Sequence, residues 1–237
     1  MIIYGLNPVL EAIRAHPRRI HYVAIARDRQ PRLQKLMAEA KQQQIAVRLL
    51  PLDQIDRAAG GGVHNGVIAD VSEGSYANFH DVLALSSTRL VLVLDGVQDP
   101  QNLGAILRVA DVFSVNLVVI PEHDSVGLTS SAVKASAGAS EWVSVAQVTN
   151  LARTIEDLKK AEFWVYGAEA GGDPLGDVDL RGKVALVLGS EGKGIRRNVL
   201  EHCDRRIAIP MSGHVNSLNV AGAAAVICYE VRRQGDR

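Results

Sequence analysis

Hydrophobic and polar residues follow two different patterns along the chain, and the change falls near residue 72. Before it, apolar residues recur at helical spacing in 7–15 and 30–44, and short β-type runs occupy 20–26, 46–50 and 67–71. Asn7 and Pro8 are typical of a helix start, and three glycines at 60–62 predict a flexible turn. The pattern therefore predicts a small α/β domain over residues 1–71.

The rest of the chain repeats a strand followed by a helix. Apolar runs such as LVLVL and VALVL are typical of strands buried on both faces, and their alternation with helices predicts a mostly parallel sheet. The predicted strands cover residues 89–95, 116–120, 141–145, 163–168, 184–188 and 206–209. The predicted helices cover residues 102–113, 129–137, 150–161, 194–202 and 217–233. Residues 72–87 are the predicted linker, with Ser, Gly and Asn supplying turn chemistry, so that 88–237 forms a second domain.

Composition narrows the class of protein. The 237 residues hold 26 Lys and Arg against 26 Asp and Glu, which argues against a disordered polyelectrolyte. The net charge is zero, but it is unevenly distributed. Residues 1–71 hold ten basic and six acidic residues, a net charge of +4, and the remaining residues have a net charge of −4. This asymmetry predicts a basic accessory domain, and nucleic-acid binding needs only such a local excess.

Cysteine usage and the apolar runs bear on location. Cys203 and Cys228 form no CxxC pair, which argues against a structural zinc site and suits a reducing compartment. The N-terminus lacks the pattern of a secretion signal, and no apolar run approaches the ~20 residues that span a bilayer. We therefore expect a cytoplasmic protein without a membrane segment or a metal.

Candidate chemistry follows the strand ends, because ligands of parallel sheets bind beyond their carboxyl edge. Three stretches stand out there: LDGVQDPQNLGAILRVAD at 94–111, LVLGSEGKGI at 186–195 and IPMSGHVNSLNVAGAAAV at 209–226. The second has GxxGxG in place of the dinucleotide fingerprint GxGxxG, and Gly194 stands where a phosphate loop needs Ser or Thr. The GxSxG of Ser hydrolases is missing. One glycine-rich stretch by itself fits an ordinary tight turn equally well.

In order and spacing, the three stretches resemble the three motifs of the SpoU (TrmH) family of RNA ribose 2′-O-methyltransferases, and the resemblance covers residues 88–237. Through YGLNPVLEAI and VHNGVIADV, the first domain resembles the ribosomal-protein-like substrate-binding domain of the branch that methylates a guanosine ribose in large-subunit ribosomal RNA. The resemblance implies a SPOUT-type α/β fold whose C-terminal part is a deep trefoil knot. It also implies S-adenosyl-L-methionine (AdoMet) bound in the knot, a homodimer and no need for a metal.

The resemblance implies catalytic roles for five residues: Asn102, Arg108, Glu191, Ser217 and Asn219. It assigns Arg108 to the target phosphate and the ribose 2′-hydroxyl, and a clamp on phosphate suits a permanently charged guanidinium better than a role as base. A surface ion pair of Arg108 with Asp111 is the alternative. Glu191 is expected to orient Asn102, Arg108 or the substrate, or else is a solvated loop acid. Plain helix capping is the alternative for Ser217 and Asn219.

Binding residues are implied in the same way. The cofactor contacts carried over are Ala168, Gly189, Ile209, Met211 and Leu218. The best RNA-binding candidates are the arginines of the first domain, unless they form only a solvated helix face: Arg14, Arg18, Arg19, Arg27, Arg29 and Arg32. His214 departs from the small residue usual in the family, and it either contacts RNA or is a surface residue without a role.

The sequence therefore predicts an AdoMet-dependent 2′-O-methyltransferase acting on a guanosine of 23S-type ribosomal RNA. Transfer RNA is the alternative substrate within the family. Two other classes stay open: a non-catalytic RNA-binding protein on the same fold, disfavoured by the retained motif residues, and a nicotinamide dehydrogenase, disfavoured by the missing fingerprint.

Overall fold

A computed structural model describes residues 1–72, 76–215 and 217–235 of the chain. Two sheets form the two parts that the hydrophobic pattern predicts. The elements of the first part are β1 (Ile2–Tyr4), α1 (Leu6–Ala15), β2 (Ile20–Ala26), α2 (Gln34–Gln42), β3 (Val47–Leu50), α3 (Leu52–Ala58) and β4 (Val67–Val71). Its four strands run in the order β1-β4-β2-β3, with β4 antiparallel to both neighbours.

The second part contains a six-stranded sheet, in the order β10-β8-β9-β5-β6-β7, and every pairing in it is parallel. Its elements are α4 (Phe79–Leu83), β5 (Leu90–Asp95), α5 (Pro100–Val112), β6 (Leu117–Pro121), α6 (Ser130–Ala135), β7 (Val145–Val148), α7 (Leu151–Lys160), β8 (Trp164–Pro174), β9 (Val184–Gly189), α8 (Arg197–Leu200), β10 (Arg205–Ala208) and α9 (Val220–Gly235). The α/β class and the parallel sheet are therefore confirmed.

The core of the second part lies on both faces of this sheet. Leu90, Leu92 and Leu94 of β5 pack into one apolar cluster, whereas Val91 and Val93 pack into another on the opposite face. Successive side chains of a strand point to opposite faces, so a run of apolar residues is what a strand covered by helices on both sides requires.

Several predicted boundaries are wrong for local reasons. The helix predicted over 30–44 begins at Gln34, because Pro31 lies in a 3-10 segment over Arg27–Arg32. The strand predicted over 141–145 begins only at Val145, since Ala139–Glu141 forms a 3-10 turn. The helix predicted over 194–202 shortens to α8, and the helix predicted from 217 begins at Val220. The sequence pattern does not predict strand β1 or helices α3 and α4.

Helix α4 lies within the predicted linker, and its Phe79 is buried in the core of the second part. Its N-cap is Asn78, whose side chain accepts hydrogen bonds from two backbone N–H groups. Residues 73–75 of the predicted linker lie outside the described residues. The stretch that connects the two sheets is thus partly anchored to the second one.

The first part is docked on α6 and the 3-10 turn after it. Val133 of α6 joins the core cluster of the first part, and Ser130 Oγ donates to the Ile2 carbonyl at 2.7 Å. Trp142 Nε1 donates to the Glu11 carboxylate at 3.1 Å. The Glu141 carboxylate lies 3.6 Å from the Arg19 guanidinium, and burial raises the pKa of this carboxyl group. Among the described residues, no helix is long and apolar enough to cross a membrane.

Candidate active site

Strand register brings the first two motif stretches together. Strands β5 and β9 are parallel neighbours, and Asp95 at the end of β5 is paired with Gly189 at the end of β9. The loops that follow these two strands therefore leave the sheet at the same edge. Helix α5 begins five residues after Asp95, with Asp99 as its N-cap and Pro100 in its first turn, two residues before the predicted start at 102.

At this edge Asn102, Glu191 and Asn219 form a closed ring of hydrogen bonds. Asn102 Nδ2 donates to Glu191 Oε1 at 3.0 Å, and Asn219 Nδ2 donates to the same oxygen at 2.7 Å. Asn219 Nδ2 also donates to Asn102 Oδ1 at 2.9 Å. We call these three residues the amide–carboxylate ring. Each comes from a different motif stretch, and Asn102 and Asn219 are 117 residues apart in the sequence.

The ring is anchored by the elements that carry it. Asn219 Oδ1 accepts the backbone N–H of Ala221 at 2.9 Å, which caps the start of α9. Capping and ring formation are therefore combined in one side chain. Glu191 Oε2 has no hydrogen-bond partner among the described residues, so one carboxylate oxygen remains available to a ligand.

The loop that carries Glu191 is held by a buried carboxylate. Asp95, whose side chain is 0% exposed, accepts the Arg196 backbone N–H and Nε–H, both at 2.7 Å. At the other end of the loop, a side chain on Gly189 would place its Cβ 2.1 Å from the Gly194 carbonyl carbon. Gly189 is thus required for close backbone approach, and the loop cannot move away from the sheet without breaking the Asp95 contacts.

A cavity of about 480 Å³ opens beside the ring, and we call it the polar cavity because charged side chains line it. It is lined by Asn102 and Glu191 of the ring and by charged residues of the surrounding loops: Asp95, Asp99, Asp124, Lys193 and Arg196. Its size lies within the range of ~300–1,000 Å³ typical of small-ligand sites. Sequence reasoning missed Asp95, Asp124 and Arg196; the only signal was an acidic residue ending the buried run LVLVLD.

An apolar cavity of about 160 Å³ lies near the start of α9. Four of the five predicted cofactor residues line it, together with Ser217: Ala168, Ile209, Met211 and Leu218. Met211 and Leu218 are 44% and 45% exposed, so apolar surface is left for a ligand to cover. Gly189 does not line this cavity. The residues present fit an adenine ring held between apolar side chains, as AdoMet would require.

Arg108 does not join the ring. It lies on α5 six residues after Asn102, about 9 Å along the helix axis and about a third of a turn away around it. Its side chain is exposed, and within the described ranges it has neither a hydrogen bond nor the ion pair with Asp111 that the sequence allows. The structure therefore brings three of the five predicted catalytic residues together and places Ser217 beside the apolar cavity.

The arginines of the first domain divide into two groups. Arg14 is paired with Glu11 and Glu39, each at 2.8 Å, and the Glu39 hydrogen bond raises the pKa of Arg14. Arg19 faces the junction between the two parts. The other four are more open to solvent: Arg27, which contacts the Leu49 carbonyl, Arg29, which pairs with Asp28, and Arg18 and Arg32. His214 is exposed in the loop before α9.

A wholly parallel sheet with a polar ring and an apolar cavity near its carboxyl edge is typical of α/β enzymes that bind a nucleotide-like cofactor. A sequence model of the SpoU rRNA methylase family matches residues 89–229. A second model, described as RNA 2′-O ribose methyltransferase substrate binding, matches residues 2–77. The chain therefore belongs to the SpoU rRNA methylase family, and the predicted family is confirmed.

Individual relatives agree. The 23S rRNA (guanosine-2′-O-)-methyltransferase RlmB of Yersinia pestis is 42% identical over 238 residues, covering 98% of this chain and 97% of the relative. A TrmH-family RNA methyltransferase structure from Porphyromonas gingivalis is 30% identical, with a TM-score of 0.80 over 99% of this chain and 90% of that one. The SpoU methyltransferase AviRb from Streptomyces viridochromogenes, solved with AdoMet, is 21% identical and shares the fold, with a TM-score of 0.81 over 99% and 89%.

Proposed function

We propose that this protein transfers a methyl group from AdoMet to the ribose 2′-hydroxyl of a guanosine in 23S ribosomal RNA. The observation that carries the proposal is the amide–carboxylate ring, with a polar cavity beside it and an apolar cavity near the start of α9. The apolar cavity takes part of the cofactor and the polar cavity takes the target nucleotide. Relatives named for this reaction are about as long as this chain and match it throughout.

The reaction needs positioning above all. AdoMet supplies a methyl group on a sulfonium sulfur; the new C–O bond forms as the C–S bond breaks and the sulfur keeps its electron pair. The hydroxyl proton passes to the Glu191 carboxylate, which releases it to solvent. The open Oε2 of Glu191 accepts the hydrogen bond of the ribose hydroxyl and so directs an oxygen lone pair towards the methyl carbon. Asn102 and Asn219 keep the carboxylate in place by donating to its other oxygen.

Cofactor contacts come from Ala168, Ile209, Met211 and Leu218 around the apolar cavity, with Gly189 allowing close backbone approach. A SpoU methyltransferase of the same fold was solved with AdoMet bound. The three motif stretches lack the GxGxxG pattern that binds a nicotinamide dinucleotide. Binding of AdoMet, but not of NADH, in isothermal titration calorimetry is the expected result.

The proposed assembly is a homodimer. Val112 on α5 is 72% exposed and Tyr229 on α9 is 57% exposed, which leaves apolar surface beside Arg108 for a second copy to cover. Because Arg108 shares the helix face of Val112, the dimer would bring it to the interface and towards the partner's site. Mixed dimers of Arg108→Ala and Glu191→Ala chains should then regain activity that neither variant has alone; no recovery would contradict the shared site.

The C-terminal segment is proposed to form a trefoil knot. One observation supports it: α9 ends against the segment before β9, where Gln234 Nε2 donates to the Val178 carbonyl at 3.0 Å. A chain circularised by joining its termini should migrate faster in a denaturing gel than an unknotted circle of the same length. Equal migration would contradict the knot.

The first domain is proposed to bind RNA through its open arginines, Arg18 and Arg32 among them. Ribosomal RNA is favoured over transfer RNA because the structures described as transfer-RNA enzymes cover only 66% and 62% of this chain. The free thiols Cys203 and Cys228 suit the cytoplasm, where ribosomal RNA is made. Charge reversal at Arg18 should flatten the salt dependence of RNA binding by about one unit of slope.

The test is direct. The protein is incubated with total RNA and isotopically labelled AdoMet, and ribose-methylated positions are mapped, with Glu191→Ala as the inactive control. Label at a guanosine of 23S ribosomal RNA is the expected result. Label in transfer RNA alone would establish the alternative substrate. The absence of label from every RNA would contradict the proposed methyltransferase activity.

A further inference from the structure

The polar cavity contains charged residues that have no role in the proposed methyl transfer. Four carboxylates line it, Asp95, Asp99, Asp124 and Glu191, against two cations, Lys193 and Arg196. An anionic group such as a phosphate is disfavoured in surroundings with an acidic excess. A neutral ligand that offers both hydrogen-bond donors and acceptors suits this lining better.

Arg196 is a donor held in one orientation. Its Nε–H is fixed on the fully buried Asp95 at 2.7 Å, yet its side chain is 51% exposed. Within the described part of the chain, its Nη1 and Nη2 atoms have no partner. Because the guanidinium is planar, fixing Nε also fixes the plane in which the two open nitrogens donate.

Of the four carboxylates, Asp124 is the one that accepts no hydrogen bond from the described residues. Asp95 accepts from Arg196, Asp99 accepts the Gln101 backbone N–H, and Glu191 accepts from two amides. For Asp124 the described residues provide no hydrogen bond or ion pair. Its backbone is in the left-handed region, with φ of 59°, a conformation that Asp and Asn adopt more readily than most other residues.

We propose that this cavity binds the guanine base of the target nucleotide, with Arg196 donating to O6 and N7 and Asp124 accepting from N1–H and the N2 amino group. Guanine alone among the four RNA bases offers two adjacent acceptors on one edge and two adjacent donors on the next. Arginine with O6 and N7 is the commonest specific contact to guanine. The inference rests on the proposed function and adds the residues that select the base.

Base analogues test the contacts without altering the protein. Once the methylated site is mapped, short RNAs are made with guanosine, inosine or 7-deazaguanosine at that position. Inosine lacks the N2 amino group that Asp124 would bind, and 7-deazaguanosine lacks the N7 acceptor of Arg196. Each analogue should lower kcat/KM and RNA affinity by about ten- to a hundred-fold, as for the loss of a specific base contact. Equal use of guanosine and inosine would overturn the proposal.

Variants then assign each contact to a residue. In Asp124→Asn, which tolerates the left-handed backbone, the discrimination between guanosine and inosine should largely disappear, while AdoMet affinity is unchanged. Glu122→Gln removes a nearby exposed charge outside the cavity lining and should keep the discrimination. Arg196→Lys should likewise lose the preference for guanosine over 7-deazaguanosine.

The matched control for Arg196 is its neighbour. Arg197 is 90% exposed, pairs with Glu201 and does not line the cavity, so Arg197→Lys should keep wild-type selectivity. Discrimination retained in both Asp124→Asn and Arg196→Lys would overturn the assignment. Failure of the proposed function is a separate result, because the wild-type protein would then methylate no RNA at all.

Discussion

The contact between Asp95 and Arg196 permits a quantitative test of how the loop after β9 is held. In Asp95→Asn, the amide oxygen can accept one of the two Arg196 N–H groups, but the amide NH2 meets the other donor. Loss of one hydrogen bond to a charged group costs about 1.5–3 kcal/mol. Arg196 is half exposed and can turn to water, so no buried unpaired charge is added to that cost.

We therefore expect Asp95→Asn to lower the free energy of unfolding by about 2 kcal/mol, which at this chain length lowers Tm by roughly 4–8 °C. Differential scanning calorimetry measures this change. The control is Asp173→Asn, which breaks a contact with Arg205 of the same 2.7 Å length, where both side chains are about half exposed. Exposed pairs contribute about 0–1 kcal/mol. Equal losses of stability in the two variants would refute the argument that burial sets the strength of the Asp95 contact.

Three further results are expected. Gly189→Ala should abolish methylation and lower Tm, because its Cβ would overlap the Gly194 backbone, whereas Gly192→Ala has open space and should lose only about 1–2 kcal/mol; equal effects would contradict this reason. Glu191→Gln should lower kcat at least about tenfold, measured by initial rates, with Tm nearly unchanged; a large fall in Tm would indicate a structural role. Burial raises the pKa of Cys203 and Cys228 to about 12, so both thiols should resist iodoacetamide at pH 8 until urea is added. Because the unfolded thiols ionise first, the stability that they contribute is complete below about pH 9 and is lost as pH rises towards 12.

The fold was predictable where the pattern depends on local sequence. The runs of β5 and β9 are apolar because helices cover both faces of the sheet, and Asp99 with Pro100 marks the start of α5. Short elements were not predictable. Strand β1 has three residues, and among the described residues it pairs only with β4, from the far end of the domain, so no local periodicity indicates it.

The site was predictable as a set of motif residues, but its geometry was not. The order of the motifs indicates Asn102, Glu191 and Asn219, and the family supplies their association. Helical periodicity places Arg108 on another face of α5 from Asn102, and its side chain does not join the amide–carboxylate ring. Asp124 and Arg196 belong to no sequence motif. Their loops reach one edge of the sheet because β6 and β9 are the two parallel neighbours of β5.

The register of β5 and β9 explains why the buried Asp95 affects both of the proposed substrate contacts, the one to the ribose and the one to the base. Asp95 is paired with Gly189, so its carboxylate lies where the loop after β9 begins, and it can reach the backbone and side chain of Arg196 at the loop's end. Glu191 lies between these two fixed ends. A shift of the loop would therefore displace the carboxylate facing the ribose and the guanidinium facing the base together. Base selection and methyl transfer should accordingly fail in parallel in Asp95→Asn, whereas Asp124→Asn should separate them.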